Sequence, residues 1–327
     1  MKNPTFDKIA IIGTGNVGAT IAYTLMSESI VQEIVLVDAN TEKAEGEAMD
    51  LNHGISFVKP SIIISGGYNL VEGCDIIIIT AGASQKPGET RLQLMERNTA
   101  IFKQIIDSIK QYNNDCILLV VTNPVDALTY VAYKLSGFPK ERVIGSGTVL
   151  DTGRLRYMIG NHTGIDTRNV HSYIIGEHGD SELACWSSAN IAGIPFNEYC
   201  KKCHVSKLEH RRDCNECKEE IFNDVKNAAY HIIEKKGATY YAVALAVRRI
   251  VEAITRNEHS ILTVSSYLTD QEGEQGLSDV CVSLPVIIGR KGIEGNIDLA
   301  LTDEEREQLR HSADVVREAI PEEVKKM

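Results

Sequence analysis

The short run Lys8 to Ile12 leads directly into Gly13-Thr-Gly15-Asn-Val-Gly18, and this strand-to-glycine junction restricts the fold more than any other stretch of the chain. In a GxGxxG turn the glycines permit a tight reversal and close backbone approach to a pyrophosphate. The amides and positive end of the helix that follows stabilise the phosphates. Asp38 lies 20 residues beyond Gly18, at the end of a second β-branched run, Glu33 to Val37. A carboxylate at that place bonds ribose hydroxyls and repels the extra phosphate of NADP, so the pattern predicts NAD as cofactor.

The alternation continues through residue 144, with apolar runs at Asp75 to Thr80 and Cys116 to Val121 and helical patterns between most of them. Between Arg91 and Tyr112, apolar residues recur at roughly helical spacing, from Leu92 and Met95 to Ile101, Ile105 and Ile109. Such alternation predicts an α/β fold with a Rossmann-type doubly wound parallel sheet. After Gly145 longer helices and hairpin-like runs take over, for example Val170 to Ile175 and Val282 to Ile288. The division expected is therefore residues 1–145 as an NAD-binding domain and 146–327 as an α+β substrate domain. A chain of 327 residues is long enough for both. The charged stretch from Thr302 reads as a solvated surface helix.

No apolar run approaches the roughly 20 residues of a membrane span, and the start, MKNPTFDKIAIIG, carries no signal-peptide pattern. A soluble, cytoplasmic protein is expected. The net charge of −11 argues against a general nucleic-acid binder, so any bound anion must be held by local cations.

Two regions offer such cations. The stretch Ala81 to Arg91, AGASQKPGETR, leaves a buried strand as a loop and supplies Gln85 and Arg91, positioned to close over a small acid. In the second half Asp151 and Arg154 are three apart in a helix and share a face, and His178 sits in Gly176-Glu-His-Gly-Asp180 after a strand. An imidazole beside a carboxylate is stabilised as its cation and can donate a proton to a carbonyl oxygen. Arg154 supplies a planar fork for a carboxylate. Singly, each of these is more often a turn histidine or a surface ion pair.

Jointly they are not. GTGNVG, AGASQKPGETR, VTNPVD, LDTGR and GEHGDSE occur in this order, and over essentially its whole length the chain resembles the lactate and malate dehydrogenase family. The resemblance implies His178 as acid/base, Asp151 as its orienting partner, Arg154 as carboxylate anchor and Arg91 as the loop residue that polarises the carbonyl. It implies further that Asn123 contacts cofactor and substrate, that Thr239 lines the pocket, and that Val17, Lys43, Tyr68, Gly82, Ala83 and Ser146 contact NAD. Within the family the position of Gln85 faces the variable end of the substrate, and malate dehydrogenases carry arginine there. A second carboxylate brought to a neutral amide would be desolvated without a partner, at a cost of several kcal/mol. Pyruvate and L-lactate, which end in a methyl group, are therefore the expected substrates, with malate or a branched 2-hydroxy acid as the alternative. An NAD-dependent glycosidase and a noncatalytic NAD-binding sensor are the readings from other classes. The GEHGD and Gln85 contexts argue against the first and the intact acid/base set against the second.

Arg156 follows Arg154 by two residues, about 200° around a helix, so the two point in different directions. By the same resemblance, Arg156 and His171 match an Arg/His pair that holds fructose 1,6-bisphosphate between subunits in bacterial lactate dehydrogenases of the bisphosphate-activated type. A homotetramer with that effector is expected. One feature departs from the family. Cys200-Lys-Lys-Cys203 and Cys214-Asn-Glu-Cys217 form two CxxC pairs ten residues apart. Such pairs suit a structural zinc site, with disulfides or free thiols as competing readings.

Overall fold

Four consecutive isoleucines, Ile76–Ile79, show how the centre of the molecule is built. Ile77 and Ile79 enter one hydrophobic core and Ile76 and Ile78 another, on the opposite face of the sheet. Successive strand side chains point to opposite faces, so a strand covered on both sides must be apolar throughout. The computed structural model describes residues 8–83, 91–202, 214–269 and 277–327.

The first half comprises β1 (Lys8–Ile12), α1 (Asn16–Ser27), β2 (Glu33–Val37), α2 (Thr41–His53), β3 (Ile62–Ser65), β4 (Ile76–Ile79), α3 (Arg91–Lys110), β5 (Ile117–Val120), α4 (Val125–Ser136) and β6 (Val143–Gly145). The strands lie in the order β3-β2-β1-β4-β5-β6, all parallel. Order reverses between β1 and β4, which creates the crevice where open α/β sheets bind ligands. Phe102 and Ile106 of α3 and Leu128 and Val131 of α4 fill one face; Ile21 and Leu25 of α1 and Leu51 of α2 fill the other. The strands β1 and β2 form where the sequence predicts them, and the predicted helix from Arg91 ends at Lys110, two residues early.

The second half contributes α5 (Val149–Thr163), β7 (Val170–His171), β8 (Ile174–Ile175), β9 (Leu183–Ala184), β10 (Asn190–Ile191), β11 (Ile194–Pro195), α6 (Phe196–Lys202), α7 (Cys214–Lys236), α8 (Tyr241–Thr255), β12 (Ser260–Leu268), β13 (Val280–Gly289), β14 (Gly292–Asn296), α9 (Asp303–Ala319) and α10 (Glu322–Lys325). The main sheet does not stop at residue 145. Antiparallel β12 pairs with β6 at Ser265 and Gly145, and β13 and β14 extend the sheet to nine strands among the described residues. Helix α8 packs against the first half, placing Val247, Ile250 and Ile254 in the same core as α1. A third core joins α5, α6 and α7 through Leu155, Ile159, Phe196, Ile221 and Val225.

Two local expectations are corrected. The run Val170 to Ile175 is two separate two-residue strands in different sheets, because β7 pairs with β10 and β8 with β9. The terminal helix α9 is not merely a solvated surface helix. It begins with a reciprocal capping box between Thr302 and Glu305, and one face buries Leu309, Ser312, Ala313 and Val316. No helix among the described residues is long and apolar enough to cross a membrane.

Candidate active site

Most of the expected cofactor residues follow the carboxyl ends of parallel strands. Gly13, Gly15, Val17 and Gly18 follow β1, Asp38 follows β2, Gly82 and Ala83 follow β4, Asn123 follows β5 and Ser146 follows β6. At Gly18 a Cβ would lie 1.9 Å from the Gly13 carbonyl oxygen, so only glycine lets α1 start this close to the turn. At Gly15 a Cβ would meet nothing within 4 Å, which leaves the backbone open to a bulky anion.

The Asp38 carboxylate is fixed by its own chain. It accepts from the Thr14 amide at 2.6 Å, the Thr14 hydroxyl at 3.0 Å and the Asn40 amide at 2.8 Å. Burial alone would raise this carboxyl, but those donors and the Lys43 charge hold it below the ordinary value. It is thus an anion with capacity for a further hydroxyl donor. Tyr68 lies close enough to feel that charge, which together with burial pushes its phenol up to about 12. The open glycine turn, the fixed anion and the neighbouring Lys43 and Tyr68 fit the adenosine half of NAD. Ala83 donates its amide to Asn98 at 2.7 Å, fixing the chain just before the loop. Gln85 lies outside the described residues, as does the Arg91 side chain.

The catalytic candidates Asp151 and Arg154 of α5 meet His178 of the loop after β8. His178 Nδ1 lies 2.5 Å from Asp151 Oδ2, and Arg154 Nη1 donates to Asp151 Oδ1 at 2.6 Å, so one buried carboxylate holds both cations. The His178 loop is anchored on both sides. Gly176 pairs with Ser283 of β13, Glu177 donates its amide to the Ser312 hydroxyl of α9 at 2.7 Å, and His178 donates its amide to Asp126 at 2.7 Å. Because Nδ1 faces Asp151, Nε2 is the nitrogen left for substrate.

Charge follows from this packing. Burial opposes the His178 cation, but Asp151, Asp126 and Glu182 outweigh it and lift the imidazole to about 9. Burial would raise Asp151, yet His178 and Arg154 hold it below the ordinary carboxylate value. Glu182, its carboxylate within 4.8 Å of the ligand atoms of Asp151 and His178, is pushed up to about 8 by burial and by Asp151. Burial lifts Asp126 to about 6. At neutral pH the set is a cationic imidazole, a cationic guanidinium and an anionic Asp151.

Sequence reasoning singled out neither Asp126 nor Glu182 for a role. Both stand inside quoted motifs, VTNPVD and GEHGDSE, but their effect depends on burial that spacing does not report. Asn123, Ser146, Arg154, His178, Ile233 and Thr239 line a cavity of about 130 Å³. That is well below the roughly 300–1,000 Å³ of pockets for drug-sized ligands, and it suits a small acid. A second cavity, about 800 Å³ and largely apolar, opens beside α5 and reaches Arg156, Tyr173, Arg154 and Thr239. The chemistry belongs in the smaller one, because it contains His178. Arg156 turns away as the helical angle predicts, donating Nε to the Ser172 carbonyl at 3.3 Å and lying over Tyr173. His171 is exposed on β7, one residue before Ser172.

Of the four cysteines expected at a metal, Cys200 and Cys217 approach each other, Cys214 lies beside Cys200, and Cys203 is outside the described residues. The structure adds His162 to this group.

Residues 7–145 match the model of the lactate/malate dehydrogenase NAD binding domain, and residues 148–327 match that of the family's alpha/beta C-terminal domain. The chain belongs to the lactate/malate dehydrogenase family. Among lactate/malate dehydrogenase family members, it is 60% identical over 318 residues to the L-lactate dehydrogenase of Acetivibrio thermocellus, covering 97% of this chain and 98% of the relative. It is 57% identical over 317 residues to L-lactate dehydrogenase 1 of Clostridium acetobutylicum, covering 96% and 97%. A crystal structure of a lactate dehydrogenase from a Medee basin deep-sea metagenome library matches with a TM-score of 0.91 at 40% identity, over 99% of this chain and 100% of that one.

Proposed function

We propose that this family member is an NAD-dependent L-lactate dehydrogenase that interconverts pyruvate and L-lactate. Residues 1–145 hold NAD, and residues 146–327 supply the acid/base set. The observation that carries the reading is the Arg154–Asp151–His178 chain of hydrogen bonds beside a small cavity at the end of the parallel sheet. The names of the relatives and the neutral Gln85 support pyruvate over oxaloacetate.

Bound NADH supplies the hydride. Arg154 takes the pyruvate carboxylate in a two-pronged, charge-assisted pair. Arg91 polarises the carbonyl, with Asn123 and Thr239 bordering the substrate. His178 donates its Nε2 proton to the ketone oxygen as the carbon is reduced, and Asp151 stabilises the imidazolium beforehand and keeps the ring oriented. In the reverse direction neutral His178 removes the hydroxyl proton of lactate.

The pH dependence follows from the raised imidazole. Pyruvate reduction needs the cation, so kcat/KM for pyruvate is expected to hold through neutral pH and fall about tenfold per unit above about 9. Lactate oxidation needs the neutral ring and should rise until the same pH. Profiles in both directions, taken with saturating coenzyme, check this; a midpoint near the ordinary histidine value would contradict the role of Asp151.

Arg156 and His171 support a further element of the proposal, an effector site for fructose 1,6-bisphosphate between copies of the chain in a homotetramer. Both carry or can carry positive charge in a chain of net charge −11, and a bisphosphate would relieve the repulsion created when two copies bring them together. Adding the bisphosphate should lower the pyruvate concentration at half-saturation several-fold and favour the larger oligomer. Steady-state kinetics and light scattering with and without the bisphosphate check it, and Arg156→Gln should abolish the response. We place the enzyme in the cytoplasm, whose reducing conditions keep its cysteines as thiols.

A further inference from the structure

The thiol and imidazole cluster at the far end of α5 does not take part in the chemistry above. His162 stands in the last turn of α5, Cys200 on α6, and Cys214 and Cys217 in the first turn of α7. A ring nitrogen of His162 and the sulfurs of Cys200 and Cys217 lie within 4.8 Å of one another. Cys214 and Cys217 are three apart on one helix and share a face, and the Cys200 thiol interacts with both. Cys214 also contacts the Asn197 side chain at 3.3 Å. The three helices are already held together by Ile159, Phe196, Ile221 and Val225, so the donors meet on a packed scaffold.

We propose that His162, Cys200, Cys214 and Cys217 form a closed, structural site for a thiolate-binding divalent metal of the zinc class. Four donors of the Cys₃His type satisfy tetrahedral zinc and leave no open position for catalysis. With bonds of about 2.3 Å to sulfur, such a site places its sulfurs about 3.8 Å apart; His162, Cys200 and Cys217 are already grouped, and Cys214 must turn from Asn197 to complete the set. Cysteine binds a metal as the thiolate, so affinity tightens as pH rises.

Eleven residues of α5 separate Asp151 from His162, roughly 16 Å along the axis. The metal is thus a clamp on α5, α6 and α7, not a participant in proton transfer. Helices α5 and α7 also border the substrate cavity, through Arg154 and Ile233, so the clamp stabilises the frame of the site.

The test uses full-length protein freed of metal by chelation under a reductant and titrated with Zn²⁺ or Co²⁺ alone. The proposal predicts one metal per chain, a cobalt spectrum of tetrahedral form with thiolate charge-transfer bands, and a Tm rise of about 5 °C or more with saturating zinc. It also predicts kcat unchanged within twofold. His162→Ala and Cys217→Ser should each weaken binding at least tenfold, while Cys203→Ser should leave it intact. Absence of stoichiometric binding by the unaltered protein overturns the proposal irrespective of how the variants fold. Retention of zinc by His162→Ala with its loss in Cys203→Ser overturns the histidine-containing set in favour of four cysteines.

Discussion

Replacement of His178 by Gln is expected to lower kcat for pyruvate reduction about 10²–10⁴-fold, the usual contribution of a positioned general acid. Glutamine can still donate a hydrogen bond but delivers no proton. The loss should fall on kcat more than on KM, because the proton matters most in the transition state, whereas Arg154 continues to hold the carboxylate. NADH affinity should stay within about twofold, since Asp38 and the glycine turn lie at the ends of other strands. Stopped-flow turnover with fluorescence titration of NADH separates the two effects. A loss below tenfold would show that the proton comes from another group, and Glu182, raised by burial, is a neighbouring candidate.

Replacement of Arg154 by Gln should have the opposite kinetic signature. Removing one member of a buried, charge-assisted pair costs about 2–5 kcal/mol, equivalent to roughly 30- to 5,000-fold in kcat/KM. Most of that should appear as a higher KM for pyruvate. The same change removes one of the two cations that hold Asp151 low, so His178 becomes the only one of the pair left on that carboxylate. Stability should fall as well, because a buried anion loses a partner. Arg154→Lys should recover the charge but not the planar fork, and should land between the two. Saturation kinetics with thermal melts of the three proteins check the ordering, and a KM unchanged in Arg154→Gln would remove this residue from the carboxylate site.

Much of this was legible in the chain because it depends on local pattern. The glycine turn, Asp38 and the β-branched runs report strand, turn and charge directly, and β1 and β2 form at the predicted residues. Helical angle alone separated Arg154 from Arg156, and the two side chains do diverge, one to Asp151 and the other to Ser172. What sequence did not reveal depends on distant segments meeting. Strand β3 is a short edge strand whose place is fixed by its pairing with β2. The buried face of α9 is partly polar, with Glu305 and Ser312 on it, so it reads as solvated; yet Ser312 receives the Glu177 amide beside the catalytic loop. His162 stands 38 residues before Cys200 and carries no motif, and only the packing of α5 on α7 brings it to the thiols.

If the neutral Gln85 sets the substrate, pyruvate must be preferred to oxaloacetate. The direct measurement is kcat/KM with NADH for pyruvate and for oxaloacetate, at one pH and with fructose 1,6-bisphosphate present in both. Pyruvate is expected to be favoured by at least one hundredfold, about 3 kcal/mol, the order of the cost of leaving the second carboxylate unpaired at a neutral amide. Oxaloacetate equal to or better than pyruvate would contradict it.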